Sequence, residues 1–386
     1  MALRDFRITE FDAPPVDLPA SEVDHDTTIV SMGPQHPSTH GVLRLMLKLD
    51  GETVVKLVPV VGYLHRGTEK LAESRTYTMV IPYTDRLDYL GAMYMNLGYV
   101  LAVEKLLGVE VPERARYLRT AVVELQRLAS HLLWLASFSL DLGAATMFIY
   151  PFREREEILD LFEAICGARL TYSYIRFGGV LADIPEGWAQ RVEKYLTLQE
   201  QRLVEYENVL TGNPVFVARN KGVGYISGAD AINYGMSGPS LRGSGVDYDL
   251  RKHDPCDAYS DVDFKVCTAP EGDCFARYRV RMDEMRESIS IVRQCLAKMP
   301  EGDVLAKLPR AIKPPAGEAY ARVEAPRGIF GAYVVSDGSN QPLRVRFRSP
   351  SFVNLSAMNQ MCAGGKLADI VAVLGSIDIV LGEIDR

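Results

Sequence analysis

Between Leu132 and Phe152 the chain runs for 21 residues with Asp141 as its only charged side chain. Such a run is long enough to cross a hydrocarbon layer, which takes about 20 apolar residues. A carboxylate near the middle of a lone lipid-facing helix costs about 3 kcal/mol on insertion scales, and Gly143 and Pro151 interrupt the helical pattern. The run is therefore predicted to be a buried segment of a helical bundle. Burial there has a consequence of its own, because an ionised carboxylate among apolar side chains must find a donor or take up a proton. Asp141 thus needs a partner.

The flanking sequence places this bundle between β-rich segments. Leu43, Leu45, Leu47 and Leu49 alternate with Arg44, Met46 and Lys48, the period of a strand with one buried face. Asp50-Gly51 supplies a hairpin turn, and Thr53 to Val61 return as a second strand. Just ahead, Gly33-Pro34-Gln35-His36-Pro37-Ser38-Thr39-His40-Gly41 holds too many prolines and glycines for regular structure, so His40 is expected on a loop at the sheet. Helical periods begin near Asp85. A helix entered at Pro112 carries Leu118, Val122, Leu125, Ala129, Leu132 and Ala136 as a packing seam. Further helices are expected from about Glu154 to Ile175 and from Pro185 to about Leu210, the latter with Asp183 and Glu186 placed as a capping box. After Gly212 the chain turns glycine-rich. One strong helix, capped by Asp273, precedes a β-rich tail in which Arg344, Arg346 and Arg348 share a strand face, read as solvated or subunit-facing. The expected division is a flexible acidic tail over 1–26, an N-terminal β-rich domain over 27–84, a helical bundle over 85–211 and a mixed α/β region over 212–386.

Several chemistries are absent from the pattern. A net charge of -7 gives no dense basic surface for nucleic acid. The six cysteines, at 166, 256, 267, 274, 295 and 362, include no C-x-x-C pair, so no zinc or iron-sulfur site is expected on this chain, and the thiols read as reduced and mostly buried. Residues 1–26 lack the apolar stretch of a secretory signal. No G-x-S-x-G elbow, P-loop, dinucleotide-binding glycine pattern or H-E-x-x-H occurs. Composition and spacing lead only as far as a multi-domain α+β protein with a histidine-bearing loop and an apolar-run carboxylate.

A family resemblance extends this reading from about Ser31 to Arg386. The segments Gly33-Pro34-Gln35-His36-Pro37, His40-Gly41-Val42-Leu43-Arg44, Tyr63-Leu64-His65-Arg66-Gly67-Thr68-Glu69-Lys70, Asp85-Arg86-Leu87-Asp88-Tyr89 and Phe152-Arg153-Glu154-Arg155-Glu156 occur in the order seen in the D-subunit family of complex I, the NADH:quinone oxidoreductase. Leu241-Arg242-Gly243-Ser244-Gly245, Gly272-Asp273 and the terminal Val380-Leu381-Gly382-Glu383-Ile384-Asp385-Arg386 continue the match. The resemblance implies an α+β fold like that of nickel-iron hydrogenase large subunits, with a central antiparallel helix bundle flanked by N-terminal and C-terminal β-rich domains. It implies a peripheral protein on the cytoplasmic face of the cell membrane, in a proton-pumping complex. It also implies a quinone head-group site against a partner's terminal iron-sulfur cluster, with NADH, FMN and all clusters held by other subunits. The expected partners are the terminal-cluster (B), C, ferredoxin-like (I) and membrane-embedded (H) subunits of that complex.

By the same resemblance, His40 and Tyr89 contact the two quinone carbonyl oxygens, Asp141 lies beside the histidine, and Arg66 lies near the terminal cluster. A histidine with an ordinary pKa of about 6.5 and a tyrosine at about 10 can each donate a hydrogen bond and then a proton, which two-electron quinone reduction requires. An adjacent Asp141 would favour the imidazolium of His40. At Thr171 many relatives carry a histidine linked to cluster reduction, and threonine cannot titrate in that range. The segment from Lys298 to Gly317 lacks a helix that many relatives have. Three alternatives stay open: a nickel-iron hydrogenase, which would need two C-x-x-C pairs; a scaffold without quinone chemistry; and the same role in a ferredoxin-linked photosynthetic-type complex, which the stretch Glu271 to Arg279 resembles.

Overall fold

The computed structural model describes residues 27–386, so the acidic tail expected over 1–26 lies outside the described residues. The alternating leucines form the middle strand of an antiparallel sheet of order β1-β2-β3, with β1 Thr28–Met32, β2 Arg44–Asp50 and β3 Thr53–Val60. Leu45, Leu47 and Leu49 are buried on its inner face. Gly51 makes the tight turn in the left-handed region at φ 57, and the register sets Leu47 opposite Leu57.

Helices follow as α1 Tyr77–Thr84, α2 Ala92–Leu107, α3 Glu113–Asp141, α4 Thr146–Cys166 and α5 Trp188–Leu210, and later as α6 Cys274–Lys298. α3 is the bundle axis. It packs against α4 and α6, so it is buried almost continuously from Tyr117 to Ala136 rather than along one stripe. Its seam residues Leu118, Val122, Leu125, Ala129 and Leu132 all lie in the larger apolar core.

The apolar run around Asp141 is not one buried segment. α3 ends at Asp141, Leu142 to Ala145 make the turn with Gly143 at φ 86, and α4 starts at Thr146. Asp141 is the last residue of a helix at an exposed hairpin tip, beside Leu140 at 45% exposure, and not a carboxylate sealed inside the bundle. Hydrophobicity alone could not distinguish a buried span from two helix ends joined by a short turn. α4 also begins eight residues before the expected Glu154, with Pro151 inside it, and stops at Gly167 in the left-handed region. The residues up to Ile175 are therefore not helical. The expected capping box ahead of α5 does not form either: Gly187 caps that helix, while Asp183 pairs with Arg114 at 3.0 Å. The Asp273 cap does form, its Oδ1 accepting from the Ala276 amide at 2.7 Å.

The tail folds as β4 Gly317–Ala325, β5 Gly328–Ser336 and β6 Arg344–Arg348, an antiparallel sheet of that order on which α2 lies. Of the arginine face only Arg346 stays mainly in solvent. Arg344 pairs with Glu73 at 2.7 Å, and Arg348 donates to the carbonyls of Ile329 and Gly235. A further helix, α7 Asp369–Ile377, packs on α3 and α6. The first and last parts of the described residues share the second core, which holds Leu45, Leu47 and Leu57 together with Met358, Val373 and Ile377. The architecture is α+β, a helical bundle carrying two three-stranded sheets. Among the described residues no helix is long and apolar enough to cross a membrane.

Candidate functional site

The loop ahead of β2 is short, yet it is fixed internally. Pro37–Thr39 form one 3-10 turn, capped by His36, whose Nδ1 accepts from the Ser38 amide at 3.2 Å. The buried Thr39 hydroxyl lies 3.2 Å from the Pro34 carbonyl and 3.1 Å from that of His36. Gly33 is required here, because a Cβ on it would come within 2.2 Å of the Leu43 carbonyl oxygen. The turn ends on His40, held in the left-handed region at φ 55 with its side chain at the surface.

Tyr89 stands on a second turn, between α1 and α2. The neighbouring Asp88 is fully buried and accepts from the Leu90 amide at 3.0 Å. Asp88 also receives the guanidinium of Arg327 at 2.8 Å, leaving the Tyr89 ring 41% exposed beside it. A third segment, the chain terminus, closes the arrangement. The Asp385 carboxylate accepts from the amides of Gly62 at 2.8 Å and Leu64 at 2.6 Å, and a Cβ on Gly382 would come within 2.5 Å of the Leu87 carbonyl oxygen. The terminal motif therefore clasps both the Tyr63-Leu64-His65-Arg66 loop and the turn that leads into Tyr89.

His40 and Tyr89 share one charged neighbour, the buried Arg327. Crowding on their inner sides strips hydration from both rings although their outer sides reach solvent. That loss of hydration, helped by Arg327, lowers the His40 imidazole below its ordinary value. The same loss of hydration raises the Tyr89 phenol, with Asp88 and Asp378 pushing the same way and Arg327 opposing. Both side chains hold their protons in neutral, hydrogen-bond-donating form at neutral pH.

Asp141 is pushed up to about 6, chiefly by lost hydration, and the charge facing it is that of His36. His40 is drawn away from the imidazolium rather than toward it. His36 and His40 stand at the two ends of the same 3-10 turn. Arg66 is exposed and donates to the Arg86 carbonyl at 3.1 Å, and Glu69 pairs with Arg344. Thr171 and Ser173 both lie in the left-handed region, and the Ser173 hydroxyl donates to the buried Asp85 at 2.7 Å.

The family described as the 49 Kd subunit of respiratory-chain NADH dehydrogenase matches residues 141–312 and 307–386. The NADH-quinone oxidoreductase D subunit of Desulforamulus reducens is 57% identical over 357 residues, covering 92% of this chain and 98% of that protein. Those of Carboxydothermus hydrogenoformans and Clostridium beijerinckii are each 52% identical, over 92% and 95% of this chain and 98% and 99% of theirs. The chain belongs to the D-subunit family of complex I.

Membership gives the collinear motifs of this D-type chain a physical meaning, since the Tyr63-loop, Tyr89-turn and terminal motifs meet in space although residues in contact there lie up to 323 positions apart in the chain. Sequence reasoning missed four residues there: His36, Arg327, Asp378 and Glu383. His36 and Glu383 lie inside matched motifs and could have been flagged. Arg327 had one local signal, the Pro326-Arg327-Gly328 turn between two strands, but hairpin tips are ordinarily wet and this guanidinium is fully buried. Among the described residues no group of three or more histidine, cysteine, aspartate or glutamate side chains is placed to hold a metal ion.

Proposed function

We propose that this chain is the peripheral-arm subunit that forms the quinone head-group site of a proton-pumping NADH:quinone oxidoreductase. The observation that carries the reading is the pairing of His40 and Tyr89. Two proton-bearing side chains of different chemistry stand on two rigid turns, exposed on their outer sides and facing one buried cation. Reduction of a quinone to a quinol takes two electrons and two protons. Tyr89 would donate a hydrogen bond to one carbonyl oxygen and then a proton, and neutral His40 a hydrogen bond to the other, passing its proton on only as its second ring nitrogen takes one up, while electrons arrive from an iron-sulfur cluster in the B subunit, near Arg66. NADH, FMN and the remaining clusters belong to other partners, and the C, I and H subunits would complete the docking at the cytoplasmic face of the membrane. Asp141, near its midpoint of about 6 and set against His36, is the group we assign to relaying the resulting charge toward the membrane arm.

The test is quinone reductase activity and proton pumping in assembled complexes carrying Tyr89→Phe, His40→Ala or Asp141→Asn. Loss of quinone reduction in the first two, with electron transfer to an artificial acceptor intact, is the expected result. Full quinone reduction and pumping in all three would refute the reading.

A further inference from the structure

The quinone reading uses His40 and Tyr89, and it leaves the charge between them unexplained. Arg327 occupies the two-residue turn between β4 and β5, and that turn is locked from behind. The Asn354 side-chain amide donates to the Arg327 carbonyl at 3.1 Å, and the Ser237 hydroxyl accepts from the Ile329 amide at 3.1 Å. Gly238 packs so closely that a Cβ on it would meet the Gly328 Cα at 2.5 Å. From this fixed base the guanidinium reaches inward. It donates to Asp88 at 2.8 Å, to the Ser130 hydroxyl on α3 at 3.0 Å and to Asp378 at 3.1 Å. Asp378 caps the end of α7 in the left-handed region, and α7 packs against the 3-10 turn that presents His40.

We propose that Arg327 is the positioning residue of the head-group site, fixing the Tyr89 turn through Asp88 and the His40 turn through Asp378 and α7 with one fork of hydrogen bonds. This rests on the quinone reading and adds to it what sets the spacing of the two donors. A fork is needed because three acceptors on three elements must be held at once. Guanidinium has five donors in fixed directions, whereas an ammonium is a single point charge. The surroundings support an electrostatic share as well. Arg327 is faced by Asp88, Asp378 and Glu383, by the Tyr89 phenol and, on the His40 side, by the imidazole, while the buried Arg281 guanidinium also acts on Asp378. Asp378 Oδ2, Glu383 Oε2 and Arg327 Nε have no hydrogen-bond partner, so the cluster keeps unused polar capacity next to the site. Removing Arg327 would let the His40 imidazole rise and leave Asp88 and Glu383 facing each other, with only Asp378 still acted on by Arg281.

The experiment uses the intact complex with Arg327→Gln and Arg327→Lys, beside Tyr89→Phe. Reduction of an artificial acceptor reports assembly and electron entry. The expected result for Arg327→Gln is a loss of at least ~10-fold in quinone kcat, a raised quinone KM, and an acid limb of the pH profile moved to higher pH, with artificial-acceptor reduction unchanged. Arg327→Lys keeps the charge and loses the fork, so it should leave the acid limb in place and still raise KM. If Arg327→Gln fails to assemble, the lysine variant decides alone: a wild-type KM overturns the proposal. Wild-type kcat, KM and pH profile in an assembled Arg327→Gln complex overturn it too. Wild-type activity in Tyr89→Phe would instead defeat the quinone reading itself.

Discussion

Two ionic regions lie within this protein and behave in opposite ways. Along α3 and α6 runs a buried network in which each carboxylate meets guanidinium. Glu124 accepts from Arg127, Arg251, Tyr94, Tyr259 and Ser288, and Glu284 is gripped by Arg242 at 2.6 Å and by His131 at 2.9 Å. Burial works to raise these acids, but the arginines outweigh it: Glu124 is held at about 2, and Glu284 falls well below the ordinary carboxylate range. At the His40 and Tyr89 turns, acids outnumber cations and lost hydration wins. Asp141 rises to about 6, and Glu383, buried beside Asp88, to about 8. The first region holds Glu124 and Glu284 ionised, although burial still lifts Glu324 at its edge, whereas the second leaves carboxyls such as Asp141 titrating near neutral pH.

The contrast breaks first if its fixed half tolerates loss. Arg242→Met leaves Glu284 and Glu324 without their shared guanidinium, which should cost about 3–5 kcal/mol and show as lost thermal stability and failed assembly of the complex. On the proton-active side, Tyr89→Phe keeps packing and removes the donor, so quinone reduction should fall about 100-fold while the melting temperature holds, read by activity and scanning calorimetry together. Asp141→Asn sharpens the boundary between them. A carboxyl raised from 3.8 to about 6 on folding favours the native state fully below about pH 3.8 and loses that contribution as pH climbs toward 6. The asparagine variant should therefore be slightly more stable than the parent at pH 7.5, by less than ~1 kcal/mol because the carboxyl reaches solvent, and the difference should vanish near pH 4 in paired denaturation curves. The smallest effect is expected outside both regions: Arg293→Ala breaks exposed pairs with Glu193 and Glu200 and should change stability by no more than ~0.5 kcal/mol.

What could be read from the chain follows the same division. The leucine alternation of β2, the α3 seam and the Asp273 cap are periodic or local signals, and each took the form expected of it. The α3 to α4 tip was misread because apolar side chains at a partly exposed turn give the same hydropathy as a buried helix. Which histidine acts on Asp141 was not legible for another reason, since His36 and His40 stand at opposite ends of one short turn. Arg327 was hidden by distance: its acceptors, Asp88, Ser130 and Asp378, come from three elements far apart in the chain. Family motifs located the segments that meet at the site without showing what joins them.

The central claim is that a quinone head group sits between the His40 and Tyr89 turns. Photoaffinity labelling of the intact complex with a head-group azidoquinone, followed by peptide mapping, tests it most directly. The account predicts label on the peptides spanning 33–42 and 85–92, suppressed by excess quinone and reduced in Tyr89→Phe. Competable label confined to other subunits, or to segments of this chain away from those turns, would contradict it.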